Sequence, residues 1–306
     1  MFLYISHSEC KKHDNGYGHP ENSQRIGAIE DQLISQRLMD YLLVEDARKA
    51  DKEDILRVHT EHYWDVMQKN LPQEGRVQID EDTALVPDSI SAALHACGAV
   101  LDGIDALMAN RASGVFCNVR PPGHHAEVHQ PMGFCLFNNI AVGAAYAFEK
   151  YGLERISVLD FDVHHGNGTE TYAETEPRLQ LISSYQKGIF PFTKDESVYE
   201  NIVKIPLESG TGGQAFIEAW EDKAWPALKA FQPQLILVSA GFDAHRGDPL
   251  AQLNLIESDF ALWAESLHRV LPDIGNPKVL SVLEGGYNLQ ALALSAAIYI
   301  KAMSGF

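Results

Sequence analysis

The sequence predicts an α/β fold: a single doubly wound, mostly parallel sheet with helices on both faces, with residues 1–306 forming one domain. Three observations predict it. Short apolar runs rich in β-branched residues alternate along the chain with longer stretches of helical periodicity. Several of those runs are continuously apolar, as strands covered on both faces are. No Pro/Ser linker, charge block or internal repeat divides the chain.

Met1–Ile5 reads as a first strand, followed by a polar loop through Gly18-His19-Pro20-Glu21-Asn22. Ile26, Ile29, Leu33 and Ile34 have helical spacing, with Asn22 or Ser23 as the cap. Lys49–Asn70 reads as helical segments broken near His59, and Pro87–Asn110 as a strong amphipathic helix. Gly114–Val119 is a buried strand, Asn138–Lys150 an Ala-rich helix, and Ile156–Asp162 the central strand. Strands follow at Leu179–Ser184, Asn201–Leu207, Gln234–Ala240 and Val279–Leu283. Helices follow at Gly213–Phe231, Ser258–Leu271 and Asn288–Ala302.

Composition narrows the function. A net charge of −18 argues against a nucleic-acid partner. The four cysteines are scattered without CxxC spacing, the pattern of free thiols in a reducing compartment, so a cytoplasmic location is expected. No run of eighteen uninterrupted apolar residues occurs, and no membrane span is expected.

The chemistry concentrates where strands end. In LDFDVHHGNG, Asp160, Asp162 and His164 alternate along a strand and so share one face, and Gly166-Asn167-Gly168 reads as a turn. Buried carboxylates beside imidazoles are costly unless a positive species binds them. Asp162 and His164 are therefore assigned to a metal. Asp243, just beyond the strand 234–240, supplies the third ligand, leaving a position open for catalysis. Such an Asp2His set suits zinc, with ferrous iron as the alternative. Pro121, Pro122 and Gly123 frame the tandem His124-His125 rigidly enough for acid–base work. Gly285-Gly286 form a turn that can deliver the Tyr287 phenol to a polarised carbonyl. Together these groups spell metal-assisted hydrolysis of an acyl bond. No nucleophile elbow, P-loop or dinucleotide fingerprint competes.

On these motifs the chain resembles the zinc-dependent histone deacetylase family, which has the arginase/deacetylase fold. GHPENSQRI, RPPGHHA, GFCLFNN, LDFDVHHGNGT, SAGFDAHRGDPL and EGGYN occur in the family's order across nearly the whole chain. The resemblance implies one zinc per chain on Asp162, His164 and Asp243. It implies His125 as general base and later acid, His124 as its electrostatic support with Asp160 as partner, and Tyr287 as transition-state donor. Gly133, Phe134 and Phe190 would border a narrow acyl-lysine tunnel, and Arg25 would sit beside a channel under the metal. A monovalent cation, usually potassium, would lie at Asp160, Ser183 and groups of Asp162 and His164. Asn167 stands where class I members carry Asp, which places the chain in the class II and bacterial amidohydrolase-like branch. An Asn behind His125 spares the imidazole a charge that would raise its pKa.

The sequence departs from many relatives at Phe192-Thr193-Lys194, where a Gly-Thr-Gly turn is usual. His129 and His245 place further imidazoles near the expected mouth. The expected substrate is an acyl-lysine protein or peptide; an acylated small amine such as an acetylpolyamine is the alternative. Leu250 stands where polyamine-selecting relatives carry glutamate, which favours acyl-lysine, although Asp82 or Glu127 could attract a cation. A silent binding module is disfavoured by the complete ligand set. A two-metal ureohydrolase is disfavoured because the order is Asp-x-Asp-x-His, not Asp-x-His-x-Asp.

Overall fold

The computed structural model of the chain describes residues 1–305. Among them the strands are β1 (Phe2–Ser6), β2 (Leu42–Asp46), β3 (Val77–Gln78), β4 (Ala84–Leu85), β5 (Val115–Cys117), β6 (Ile156–Asp160), β7 (Leu179–Gln186), β8 (Ile202–Leu207), β9 (Leu235–Ala240) and β10 (Lys278–Leu283). Eight of them form one sheet in the order β2-β1-β5-β10-β9-β6-β7-β8, and every adjacent pair is parallel. β3 and β4 form a separate antiparallel hairpin.

Strand alternation divides the core between the two faces of this sheet. Val115 and Cys117 pack in one apolar cluster with the helices Ser89–Met108 and Asn139–Tyr151. Phe116, between them, packs in the other, with Gln24–Ser35, Glu257–Val270 and Leu289–Ser304. The helix Ser89–Met108 is long and apolar enough to cross a membrane, but most of it is buried inside the protein. Its apolarity serves the core.

The structure adjusts the reading from sequence in five places. β2 was not anticipated, because this edge strand is only half covered and carries Glu45 and Asp46 among its apolar residues. The hairpin β3–β4 is two residues a side, too short for periodicity to reveal. Asn22, not Ser23, supplies a side-chain acceptor at its helix start, to the Gln24 amide at 3.0 Å. The helix expected over 213–231 contains a wider π turn at Trp220–Ala224. Pro226 follows it and has no N–H to continue the regular ladder. Finally, β6 stops at Asp160 and Asn167 opens the helix Asn167–Thr175, so Gly166-Asn167-Gly168 is a helix start and not a free turn.

Candidate active site

β5, β10, β9 and β6 are neighbours, and the loops leaving their carboxyl ends carry His124 and His125, Tyr287, Asp243, and Asp162 and His164 respectively. Parallel strands put all four loops at one sheet edge, the usual ligand-binding edge of such a fold. Because β6 ends at Asp160, strand alternation is not what aligns Asp162 and His164. Local hydrogen bonds do it: Asp160 Oδ1 accepts from the Asp162 amide (3.1 Å), and Asp162 Oδ1 from the His164 amide (2.8 Å).

Asp162, His164 and Asp243 are buried, and one ligand atom from each lies within 4.8 Å of the others. His164 Nδ1 is 3.1 Å from an oxygen of each carboxylate. A Cβ added at Gly241 would strike the Asp162 carboxylate, and one at Gly285 would strike both carboxylates, so only glycine fits there. The Gly285 amide in turn donates to Asp162 Oδ2 (2.8 Å), and the Val163 amide to Asp243 Oδ1 (2.9 Å). Burial pushes Asp162 up, but His124 and His164 hold it well below the usual carboxylate range. Burial and the charge of Asp162 push Asp243 up to about 7. Burial opposes the charge on His164, yet the two carboxylates raise it to about 10. The point between two buried acids therefore attracts positive charge, and a divalent metal could supply it, the ligand atoms having already converged.

The paired histidines are held differently. His124 Nδ1 donates to Asp160 Oδ2 at 2.9 Å. Burial works against its charge, but Asp160, Asp162 and Glu284 raise it to about 10. His125 is pulled well below its ordinary value by burial first, then by the charges of His124 and His164. Its Nδ1 lies 2.8 Å from Asn167 Oδ1. The orientation of that amide follows from Glu127, whose carboxylate only accepts. Asn167 Nδ2 turns to Glu127 Oε1 (2.8 Å), leaving the amide oxygen to accept from His125 Nδ1–H. Nε2 of a neutral His125 is then free to take a proton.

A cavity of about 220 Å³ reaches this centre, lined by Asp82, His125, Gly133, Phe134, His164, Phe190, Leu250 and Tyr287. The Phe190 ring stands 5.0 Å from that of His125, and the Phe134 ring 5.7 Å from that of Tyr287. Gly133 has φ +54, and a Cβ there would come within 2.6 Å of His125 and 2.9 Å of Phe190. Arg25 lies below, its Nε donating to the Gly286 carbonyl at 2.7 Å and its guanidinium 5.0 Å from the Tyr287 ring. Desolvation keeps the Tyr287 phenol well above its ordinary value, although Arg25 opposes this, so it remains a donor. Asp160 and Ser183, two of the four residues expected at a second cation, are register partners on β6 and β7.

The positioning roles of four acids escaped the reading of the sequence. Glu284 Oε2 accepts from the Gly123 (2.7 Å) and His124 (3.1 Å) amides. Asp248 Oδ2 accepts from the Tyr287 amide at 2.7 Å. Glu21 Oε1 and Oε2 accept from Arg120 at 2.6 and 2.7 Å, and Arg25 lies 3.3 Å from the same carboxylate. Glu127, weighed only as an attractor of cations, instead orients Asn167. Each sits inside or beside a quoted motif, and that adjacency was the available signal. His129 and His245 do not line the cavity: His129 meets Thr60, and His245 is buried against the Gly247 amide.

A doubly wound sheet with a buried acid–imidazole cluster that could hold a metal, and a paired-histidine loop at the same strand ends, is an arrangement suited to metal-assisted hydrolysis. Comparison with known proteins makes the class specific. The model of the histone deacetylase domain matches residues 19–303. The histone deacetylase-like amidohydrolase of Pseudomonas aeruginosa is 34% identical, with 94% of this chain and 77% of that one covered. The polyamine deacetylase HDAC10 of Mus musculus is 33% identical over 93% of this chain and 45% of its own. The crystal structure of the HDA15 HD domain superposes with a TM-score of 0.93 at 30% identity, covering 99% of this chain and 89% of that one. The chain belongs to the histone deacetylase family.

Proposed function

We propose that the protein is a zinc-dependent amidohydrolase that removes acetyl or related acyl groups from lysine side chains. One observation carries the proposal: a single apolar-walled cavity is lined by His125, the metal-cluster residue His164 and Tyr287 together. Asp162, His164 and Asp243 would hold one zinc ion per chain. When bound there, zinc polarises an acyl carbonyl and makes water a competent nucleophile at neutral pH.

The chain's own groups complete the reaction. As water adds to the carbonyl carbon, His125 Nε2 accepts its proton, and the positive His124 beside it helps offset the negative charge that grows on the acyl oxygen. Tyr287 O–H donates to the carbonyl oxygen as that oxygen becomes negative. The C–N bond then breaks, the proton on His125 passes to the amine, and a carboxylate and free lysine remain. Phe134 and Phe190 hold the aliphatic part of the side chain and exclude water from it. A potassium ion at Asp160, Ser183, Asp162 and His164 would be structural. Asn167 as the partner of His125 supports the class II and bacterial amidohydrolase-like branch.

A second reading, an acetylpolyamine as substrate, is favoured by Asp82, the one carboxylate on the cavity wall. Leu250 on the same wall offers a cation nothing, and acyl-lysine is the reading adopted. The test is the kcat/KM ratio of an acetyl-lysine peptide to N8-acetylspermidine in native, Asp82→Asn and Leu250→Glu proteins. The native ratio should favour the peptide and Leu250→Glu should lower it. A native preference for the polyamine that Asp82→Asn abolishes would overturn this choice of substrate.

A further inference from the structure

We propose that Lys204 is a positioning residue that clamps the Phe190 wall of the tunnel and thereby sets affinity for the chain of the substrate; this rests on the acyl-lysine reading. Lys204 lies on β8, opposite Ser183 on β7, which is itself opposite Asp160 on β6. The three residues form one row across the sheet, at the end of β6 from which Asp162 and His164 follow. The Lys204 side chain is only 4% exposed. Its ammonium has three N–H groups and meets three acceptors: Glu170 Oε1 at 2.7 Å, Thr193 Oγ1 at 2.9 Å and the Lys194 carbonyl at 2.9 Å. None of its donors is left for water.

Those acceptors belong to two separate segments, each of which also carries a residue of the site. Glu170 is on the helix opened by Asn167, the residue that orients His125, and its Oε2 lies 2.6 Å from His165 Nε2, next to His164. Thr193 and Lys194 follow Phe190 by three and four residues, in the stretch where the sequence lacks the Gly-Thr-Gly turn. Apart from a local turn, in which the Phe192 amide donates to the Ile189 carbonyl at 2.8 Å, and the packing of Phe190 on His125, the remaining contacts of that stretch are long or exposed. Phe192 is 76% exposed, the Tyr185 hydroxyl reaches the Lys194 carbonyl only at 3.4 Å, and Lys187 meets Asp195 at 3.6 Å near the surface. One buried ammonium thus ties the segment carrying the wall to the helix carrying the partner of the base. It touches neither substrate nor metal, so its loss acts on tunnel width and order and leaves the chemistry in place.

The experiment compares native protein with Lys204→Met and with the milder Thr193→Val, each loaded with zinc. The kinetic and binding readouts are kcat and KM on an acetyl-lysine peptide, and the affinities of acetohydroxamate, which fills only the metal end, and of a long-chain hydroxamate, which fills the tunnel. Lys204→Met, which removes all three contacts, should raise KM and weaken the long hydroxamate about tenfold or more, and Thr193→Val, which removes one, about threefold. The kcat and the acetohydroxamate affinity should change less than about twofold in both variants. Amide hydrogen exchange over residues 190–195 should quicken in both, a readout that does not depend on the enzyme's activity. Unchanged exchange there, or an equal loss of both hydroxamates, overturns the clamp. Absence of either hydroxamate's binding to native protein would instead overturn the metal-hydrolase reading, with the exchange result still deciding the clamp. Should Lys204→Met not fold, native KM and exchange in Thr193→Val overturn it.

Discussion

Gly133→Ala tests whether base and tunnel wall are packed as closely as the structure has them. Two costs are separable. At φ +54 an alanine is strained by about 1 to 2 kcal/mol, because its Cβ crowds the following carbonyl. The new Cβ would also stand 2.6 Å from His125 Cδ2, where ordinary contact begins near 3.4 Å, and 2.9 Å from Phe190 Cε1. His125 must therefore yield by about 0.8 Å, and a reacting group displaced by about 1 Å costs on the order of a hundredfold in rate. Gly152→Ala is the control: φ is +64, but nothing lies within 4 Å of the added Cβ. Thermal unfolding and steady-state kinetics on an acetyl-lysine peptide would be run on both variants. Gly152→Ala should lose only the stability that the strain costs and Gly133→Ala at least as much, while only Gly133→Ala loses kcat, by about ten- to a hundredfold. Native turnover in a folded Gly133→Ala would refute the packing argument and the place given to His125.

Asn167→Asp puts a carboxylate at the 2.8 Å contact with His125 and should raise its pKa, so the acid limb of kcat/KM moves up by about one unit or more; a pH profile with an unmoved limb would remove Asn167 as the determinant. His125→Ala and Tyr287→Phe should each lower kcat by about a hundredfold or more while thermal unfolding stays near native; near-native turnover in Tyr287→Phe would end its role as donor. In metal-free protein Asp243 holds a proton in the folded state up to about 7, whereas its ordinary value is 3.8. The folded state then binds more protons than the unfolded one in that window, so this group's contribution makes stability fall as pH rises through it, and zinc should raise Tm most at the upper end. A zinc-induced rise in Tm independent of pH would contradict that linkage.

The parallel sheet was legible because strands covered on both faces read as apolar runs, and β6, β9 and β10 are such runs. The site was legible for the opposite reason: Asp162, His164 and Asp243 are polar residues where burial forbids them unless something binds. What stayed hidden depends on partners distant in sequence. Glu284 and Asp248 read as ordinary acids until their carboxylates are seen accepting the amides of Gly123, His124 and Tyr287. Glu21 reads as a loop residue, yet it is fully buried against Arg120 and Arg25. β2 was lost because a half-covered edge strand leaves only a weak pattern. Asp82 was weighed as an attractor of cations, but its place on the cavity wall comes from the hairpin β3–β4, where the Thr83 hydroxyl donates to Asp82 Oδ1 at 2.8 Å and accepts from the Phe134 amide at 3.0 Å.

The central claim is that Asp162, His164 and Asp243 hold the metal on which amide hydrolysis depends. It is tested most directly by zinc content and acetyl-lysine peptide hydrolysis, measured side by side on native and Asp243→Ala protein after chelation and reloading with zinc. The native chain should take up one zinc and regain hydrolysis, whereas Asp243→Ala should retain neither the stoichiometric zinc nor the activity. Full zinc occupancy with native turnover in Asp243→Ala would contradict the account.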